Sequence, residues 1–367
     1  MTENTYTFHG PGERWAEQEP TAVDLLNVAR ENCDHLHEAL NSFMDTDDYS
    51  TNAFTLPPGS AVKQTTKVQT AQNAQKIIFV NLDDPNQMWD LKSFLNFARA
   101  TSWYQELGAP PTHGTIWAAN GGNPFKWWNL ETDAQYISFT EGSNQFLSAA
   151  GIASVVFLDG IVYAADNGAT WGFFVMDFLR DQLSYWDTTG QHVFQGDISD
   201  RNTNMGALAP VYRSSPALIN ANCNSIAAVR DPSERDEFGR PKHWWAVGTD
   251  GGVSVYNPID DAIYDSSYTD DCDALAIGPS GEFVYHTDQG ASADRAAFMH
   301  SIFTIGADAF TEDATYMAGS TDGTSLPLGS GTFFSSLAIL PGRSAASAGA
   351  PLIILGTDLG MMLIHTK

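Results

Sequence analysis

The sequence predicts an all-β protein with an N-terminal α-helical arm, and three observations lead to this fold class. A strand–turn–strand unit recurs along most of the chain, short runs of small and branched residues precede several of the units, and a stretch near the start has helical spacing. The best-preserved unit covers residues 243–258, where two β-prone runs flank Asp250-Gly251-Gly252. An Asp-Gly turn between apolar runs predicts a β-hairpin, because Gly and Asp tolerate the positive φ angles of tight turns.

The repeat defines the expected number of units. Aligned on the acidic or amide residue of the turn, the copies fall at Asn120, Asp166, Asp250, Asp288, Asp322 and Asp358. Most copies follow one another at roughly 40 residues, and the interval between the second and the third is about twice as long. One degenerate copy is therefore expected near residues 204–213, which gives seven units.

A period of about 40 residues with strand and turn signals is typical of a β-propeller built from four-stranded blades. Ala-rich runs such as Ser225–Val229 suit the crowded inner strand of a blade. The sequence thus predicts a seven-bladed β-propeller over residues 76–367. We expect a segment around residues 61–80 to complete the last blade, because an unclosed ring would leave exposed strand edges.

The central unit also resembles a known family of repeats. Residues 244–258, WWAVGTDGGVSVYNP, resemble the blades of two-component-regulator-type seven-bladed propellers, which carry a strand, Gly-Thr-Asp-x-Gly and a second strand ending in Tyr-Asn/Asp-Pro. Residues 352–360 match the first half of that pattern. The resemblance implies a propeller fold and says little about function, since propellers include enzymes, scaffolds and adhesins. An unrelated β-sandwich with chance hairpins is the alternative.

The N-terminal part predicts a tail, a helix and a connector. Residues 1–20 read as a flexible tail, residues 21–45 as an amphipathic helix and residues 46–75 as a polar extended connector. The helix carries an apolar heptad seam that predicts oligomerisation or docking through Leu26, Ala29, Cys33, Leu36, Leu40 and Phe43. In the alternative, the helix packs on its own propeller. A second helical stretch at residues 87–100 predicts an insertion in the early blades.

The charge of the chain restricts its partners. A formal net charge of −26 argues against binding to nucleic acid or to anionic membranes. Asp outnumbers Glu and Lys is scarce, as in proteins from extreme halophiles; an acidic extracellular or viral protein is the equally weighted alternative. The chain contains no run of eighteen apolar residues, so we expect no membrane span. Its first residues lack the basic and apolar regions of a signal peptide.

The sequence shows no motif that carries chemistry. It contains no His-based zinc motif, no Gly-x-Ser-x-Gly and no phosphate-binding glycine loop, so we expect no catalytic residue, metal or cofactor. Adjacent aromatic residues on a strand point to opposite faces, and one of each pair could face outward. The candidate binding surface is therefore Trp127, Trp128, Trp244 and Trp245, with packing between blades as the competing interpretation.

These observations together predict a non-enzymatic protein. A helix, a spacer and a globular head resemble the layout of a tailed-virus appendage protein. We expect a structural or host-attachment component of a virus particle, located in the virion and homo-oligomeric. Its arm would bind other virion proteins and its head a host-surface protein or glycan. The alternatives are a carbohydrate-active or other propeller enzyme with a site at the central channel, and a cytoplasmic scaffold or sensory propeller.

The halophile hypothesis predicts that folding depends on salt, because the acidic surface repels itself when it is not screened. We expect the tryptophan fluorescence and far-UV circular dichroism of the folded chain to be lost between molar and tens of millimolar NaCl. Sucrose at matched osmolality serves as the control and should not replace the salt. A flat response across this range would end the halophile hypothesis.

Overall fold

The computed structural model describes residues 74–119, 125–140, 151–168, 171–203, 208–267, 269–288, 295–299, 301–306, 310, 314–318, 325–326, 334–340, 352–357 and 360–365. All of them belong to one compact unit, Lys67–Lys367. The predicted tail, the heptad helix with its seam Leu26–Phe43 and the connector up to residue 73 lie outside the described residues. No helix in the described ranges is long and apolar enough to cross a membrane.

The first sheet is an antiparallel meander interrupted by two helices. Its strands, in spatial order, are β1 (Ala74–Asn81), β2 (His113–Ala119), β3 (Phe125–Asn129) and β4 (Ala134–Phe139). Helices α1 (Leu91–Ala98) and α2 (Ser102–Leu107) connect β1 to β2, so α1 lies within the range 87–100. Asp90 is the N-cap of α1, and its carboxylate accepts hydrogen bonds from the backbone N–H groups of Lys92 and Ser93.

The second sheet has six strands in consecutive order. They are β5 (Ile152–Leu158), β6 (Ile161–Asp166), β7 (Phe173–Asp177), β8 (Gln182–Trp186), β9 (Gln191–Val193) and β10 (Val211–Arg213). The last strand lies in the region where the sequence predicts a degenerate seventh unit. In the structure this region adds an outer strand to the second sheet, because β10 pairs with β9.

The third sheet contains the best-preserved sequence unit. Its strands are β11 (Cys223–Arg235), β12 (Pro241–Thr249), β13 (Gly252–Asn257) and β14 (Ala262–Asp265). The predicted hairpin at Asp250 joins β12 to β13, with Thr249 paired to Gly252 and Trp245 to Tyr256. The hairpin of β11 and β12 is unusually long, since β11 has 13 residues whereas β5 has 7.

Two further sheets complete the described part. The fourth contains β15 (Asp271–Ile277), β16 (Phe283–Asp288), β17 (Arg295–Met299), β18 (Ala314–Ala318) and β19 (Ser325–Leu326), and the fifth contains β20 (Phe334–Leu340), β21 (Leu352–Thr357) and β22 (Gly360–His365). The unit predicted around Asp322 falls between β18 and β19, which pair in parallel within the fourth sheet. A parallel pair is not a tight hairpin, so β18 and β19 do not form the predicted strand–turn–strand unit, and Asp322 itself lies outside the described residues.

The arrangement of the sheets is of the propeller type. The first strands of consecutive sheets lie against each other in chain order, β1 on β5, β5 on β11, β11 on β15 and β15 on β20. Meanders whose first strands adjoin in this way are the blades of a propeller, with the first strand innermost. The all-β prediction is confirmed. The described ranges contain five sheets and not seven, because the units predicted near residues 204–213 and at Asp322 fall in the second and fourth sheets, which each contain another unit already.

The N-terminal strand differs from the prediction. Its described part, β1, pairs with β2 in register Ile77 to Trp117 and thus belongs to the first sheet. The expectation that residues up to 80 complete the last blade is therefore wrong for residues 74–80, and residues 61–73 lie outside the described ranges. One edge of β1 pairs with β2, the next strand along the chain. This pairing needs a much shorter connection than pairing with the last sheet.

The sheets are held together by apolar cores between neighbouring faces. Between the first and second sheets, the core includes Phe94, Trp103 and Trp127. The indole Nε1 of Trp103 donates to the carbonyl of Phe178 at 2.7 Å, which fixes α2 to the second sheet. The cores between the second and third and between the third and fourth sheets contain Trp245 and Trp244, respectively.

Gly160, in the turn between β5 and β6, allows a test of this packing. It has φ 77°, and a Cβ built there would meet the ring of buried Phe94. Gly239 has φ 75° and open space around it, so an alanine at either position would carry similar backbone strain. We expect Gly160→Ala to lower the free energy of unfolding by about 1–3 kcal/mol more than Gly239→Ala, measured by urea denaturation. Equal losses would show that α1 does not pack as described.

Candidate functional site

A buried carboxylate joins the second and third sheets. Asp159 and Gly160 form the turn between β5 and β6, with φ angles of 50° and 77°, as in a type I′ hairpin. The Asp159 side chain is fully buried and accepts two hydrogen bonds from Arg230, at 2.8 and 2.7 Å. His243 Nε2 lies 3.0 Å from the same carboxylate. Arg230 and His243 are directly opposite each other on β11 and β12, so one face of that hairpin supplies both partners.

Tyr163 extends this group into a chain of three residues. Its hydroxyl lies 2.7 Å from Nδ1 of His243. Since Asp159 accepts from Nε2–H, Nδ1 is assigned as the acceptor of the tyrosine proton. Burial lowers the pKa of His243 and outweighs the opposing effect of Asp159, whereas burial raises the pKa of Tyr163 well above its ordinary value. Both side chains are therefore neutral at pH 7, and both imidazole nitrogens are used within the protein.

A second ion pair lies beside the first. Asp177, at the end of β7, receives two hydrogen bonds from Arg240, at 3.0 and 2.6 Å, and one from Arg180 at 2.8 Å. The Nε of Arg240 donates to Asp236 at 2.9 Å. Burial alone would raise the pKa of Asp177, but the attraction and hydrogen bonds of Arg240 and the charge of Arg180 lower it to about 2. The pair stays ionised throughout the neutral range.

A cavity of about 400 Å³ opens on these two groups. It exists because β11 and β12 extend beyond the ends of the neighbouring strands, and the tip of their hairpin forms one wall. The turn after β7 and the start of the β13–β14 turn form the others. The lining residues are Ile161, Tyr163, Arg180, Arg235, Asp236, Glu237, Arg240, Pro241, Lys242, His243, Tyr256 and Pro258. Four of them are cationic, in a chain whose net charge is −26.

Three of the four predicted surface tryptophans are in the core. Trp127, Trp244 and Trp245 are buried, so they do not form a binding platform. The Nε1 of Trp244 donates to Asp231 at 2.7 Å, and Trp245 packs on Phe173 with ring centroids 4.6 Å apart. Adjacent residues do point to opposite faces of a strand, but neighbouring sheets cover both faces of β12. The prediction considered one sheet and not its two neighbours.

Trp128, the fourth predicted residue, lies on a more open face. It is half-buried and stacks on Trp117, with ring centroids 6.0 Å apart and an interplanar angle of 17°. The register of β1, β2 and β3 places Ile77 and Phe79 on the same side. Ile77 is 49% exposed and Phe79 72% exposed. We call Ile77, Phe79, Trp117 and Trp128 the aromatic face.

The charged network was not among the sequence predictions. Asp159 is 71 residues from Arg230 and 84 from His243 in the sequence. No local sequence motif links residues that are so far apart. A usable signal was Asp159-Gly160 itself, a tight-turn pair between two apolar runs. In the described ranges no group of His, Cys, Asp or Glu could hold a metal ion. Cys223 and Cys272 are buried free thiols.

Comparisons with known proteins add little to this geometry. No protein-family model and no curated protein matches the chain. Solved structures that align with it include the β-propeller domain of Myceliophteria thermophila Cps50 (Swd1), at 10% identity over 69% of this chain and 79% of that one, with a TM-score of 0.34. The Dos1 propeller aligns at 11% identity over 68% and 77%, with a TM-score of 0.33.

A third structure is the extracellular domain of BT4673 from B. thetaiotaomicron, described as a hybrid two component system. It is 13% identical over 69% of this chain and 30% of that chain, with a TM-score of 0.31. The first two of these structures are named as propellers. Their scores are too low to support a conclusion about function, and the fold assignment rests on the order and contacts of the sheets.

His243 predicts a pH dependence of stability. In the unfolded chain His243 takes up a proton near pH 6.5, whereas in the folded protein its lowered pKa keeps it neutral. The unfolded state therefore binds more protons, and stability falls as the pH falls below about 6.5. We expect His243→Gln to abolish roughly 1 kcal/mol of the loss in unfolding free energy between pH 7.5 and 5.5.

Urea denaturation at each pH measures this change. His113 is the matched control, because it is exposed and pairs with exposed Glu131 at 3.1 Å. His113→Gln shows how much of the change in slope follows from removing any histidine, and the remaining difference between the two variants is assigned to the burial of His243. A His243→Gln variant with an unchanged slope would show that His243 is not buried in the neutral form.

Proposed function

We propose that the chain is a non-enzymatic structural or attachment component of a virus particle, and that its head binds a protein partner through the aromatic face. The observation that carries the binding surface in this proposal is the exposure of Ile77 and Phe79 beside two stacked tryptophans, whereas the virus particle is proposed from the layout of arm, connector and head. Isolated exposed apolar residues are ordinary, but two exposed and two half-buried apolar residues on one sheet face form a contiguous patch. Patches of this kind mark interaction sites.

The composition of the patch favours a protein over a sugar. Tryptophan and other large aromatic residues dominate the binding energy of protein interfaces. Trp117 and Trp128 stack on each other, which leaves less of each ring face for a pyranose ring. Phe79, the most exposed of the four, is positioned to enter a pocket of a partner. The predicted glycan partner is thus less well supported at this face than a host-surface protein.

The charged network supports the non-enzymatic part of the proposal. A general acid or base must have an atom free to reach the substrate. Both nitrogens of His243 are engaged by Asp159 and Tyr163, and Asp177 is held ionised by Arg240. The propeller-enzyme alternative requires a convergent set of reactive groups with free atoms, and the side chains of this network are bound to one another. The network thus connects the second sheet to the third.

The proposal keeps the predicted layout of the chain. The arm at residues 21–45 would join other virion proteins, the connector would act as a spacer, and the head would face the host. Homo-oligomerisation through the heptad seam belongs to the same proposal. The five described sheets favour a smaller ring than the sequence repeat predicts.

The proposal predicts two results with virus particles from the source of the gene. Mass spectrometry of gradient-purified particles should detect the chain, and the soluble full-length chain should compete with particles for adsorption to host cells. Phe79→Ser should weaken this competition by roughly tenfold or more, because a hot-spot aromatic residue is lost. The matched control is Ile259→Ser, which removes another exposed apolar residue, 53% exposed, from the turn after β13.

The same variants test the competing roles of the aromatic face. The sequence of β21 and β22 is apolar at consecutive positions, which predicts a sheet covered on both faces, and the first sheet is one surface that could cover it. If the sheet of β21 and β22 packs on the aromatic face and so closes the ring, Phe79→Ser will remove a core residue. Its melting temperature will then be well below that of Ile259→Ser. That result, or absence of the chain from purified particles, would overturn the proposal. Equal melting temperatures with selective loss of competition would support it.

A further inference from the structure

We infer that the cavity between the second and third sheets is a binding site for a small carboxylate-bearing sugar. The site is independent of the aromatic face, because its lining residues come from β6, the β7–β8 turn, the β11–β12 hairpin and β13 with the turn that follows it. A volume of about 400 Å³ is within the range of small-molecule sites and accommodates one pyranose ring.

The rim of the cavity carries cationic groups with unused hydrogen-bond donors. Among the described residues, Arg235 donates only through Nη1, to the carbonyls of Asp231 and Glu234. Within the same described ranges Lys242 has a single ionic neighbour, Glu234, at 3.8 Å, and its side chain is one-third exposed. Arg235 can therefore offer Nε and Nη2, and Lys242 its ammonium group, to an anion in the cavity.

Glu237 shows what chemistry this rim accepts. Its carboxylate comes from the exposed tip of the β11–β12 hairpin and accepts a hydrogen bond from Arg180 Nη2 at 2.7 Å. The Glu237 side chain is 60% exposed, so this contact gains little stability from burial. The Glu237 carboxylate thus occupies the hydrogen-bond donor Nη2 of Arg180, and the protein holds it there only weakly. A ligand carboxylate of the same geometry can replace it without disturbing the Arg180–Asp177 pair.

The remaining walls suit a sugar ring. Ile161, Tyr163, Pro241 and Pro258 provide apolar surface against which the C–H face of a pyranose can pack. The inner end is closed by Arg240 and His243, whose hydrogen bonds are already satisfied within the protein. Recognition of the charge therefore falls to Arg180, Arg235 and Lys242 at the rim. A uronic acid combines the required carboxylate with a ring of the right size.

Calorimetric titration of the full chain with glucuronate tests this inference, with glucose as the neutral comparison. We expect glucuronate to bind and glucose to bind at least roughly tenfold more weakly. Lys242→Gln and Arg235→Gln should each weaken glucuronate binding by roughly threefold to tenfold. Lys126→Gln, a half-buried lysine on β3, controls for the loss of one positive charge.

Glu237→Gln provides the most specific test, because removal of the internal competitor should strengthen binding. We expect a gain of roughly threefold or more, larger than that of Glu131→Gln, which removes an exposed acid from the first sheet. Equal gains would show only a general charge effect and would overturn the competitor role. The inference would be overturned if neither the unsubstituted chain nor Glu237→Gln bound glucuronate. It would also be overturned if glucose or acetate bound as tightly as glucuronate.

Two further measurements locate the source of the ligand and separate this site from the aromatic face. The methyl glycoside of glucuronate should bind as well as the free acid if the site takes a terminal residue of a glycan. Loss of binding to the glycoside alone would assign the site to a free small molecule. Phe79→Ser should leave glucuronate affinity unchanged, so failure of the attachment proposal and failure of this inference are distinguishable.

Discussion

The fully buried carboxylate of Asp159 is the point on which the described structure depends. It takes two hydrogen bonds from Arg230 and one from His243, and Arg230 also donates to the carbonyl of Pro85 at 2.5 Å. One turn of the second sheet is thereby tied to the third sheet and to the segment that precedes α1. A buried charge without its partners destabilises a protein by about 3–5 kcal/mol, so this contact can exist only with all its members in place. It therefore specifies how neighbouring sheets are aligned, whereas the apolar cores mainly supply the energy of association.

The aromatic residues divide into two groups for a related reason. In a propeller-type arrangement a central strand has neighbouring sheets on both sides, so both of its faces become core. Trp244 and Trp245 are adjacent and both buried, one in each of two different cores. Trp127 and Trp128 are also adjacent, but among the described residues only Trp127 belongs to a core shared with a neighbouring sheet. The same dipeptide thus packs differently at an inner sheet and at the first sheet.

These contrasts show what sequence reasoning can reach. The hairpin at Asp250 and the Ala-rich inner strand of the third sheet were predictable, because turn chemistry and local composition determine them. The number of sheets was not, since β9 and β10 have only three residues each and leave no strand pattern. The ion pairs were also out of reach. Asp177 meets Arg240 across 63 residues of chain, and only the packing of one sheet on the next brings them together.

The long β11–β12 hairpin has a consequence for the dynamics of the head. Arg230, His243 and Arg240 all lie on it, and their carboxylate partners Asp159 and Asp177 lie on the second sheet. If either sheet opened alone, it would leave arginines and aspartates without partners in a poorly hydrated space. Opening of one sheet is therefore linked to opening of the other. The backbone amides of β5, β6, β11 and β12 belong to one cooperative unit of local unfolding, although nearly 60 residues of chain separate the two pairs of strands.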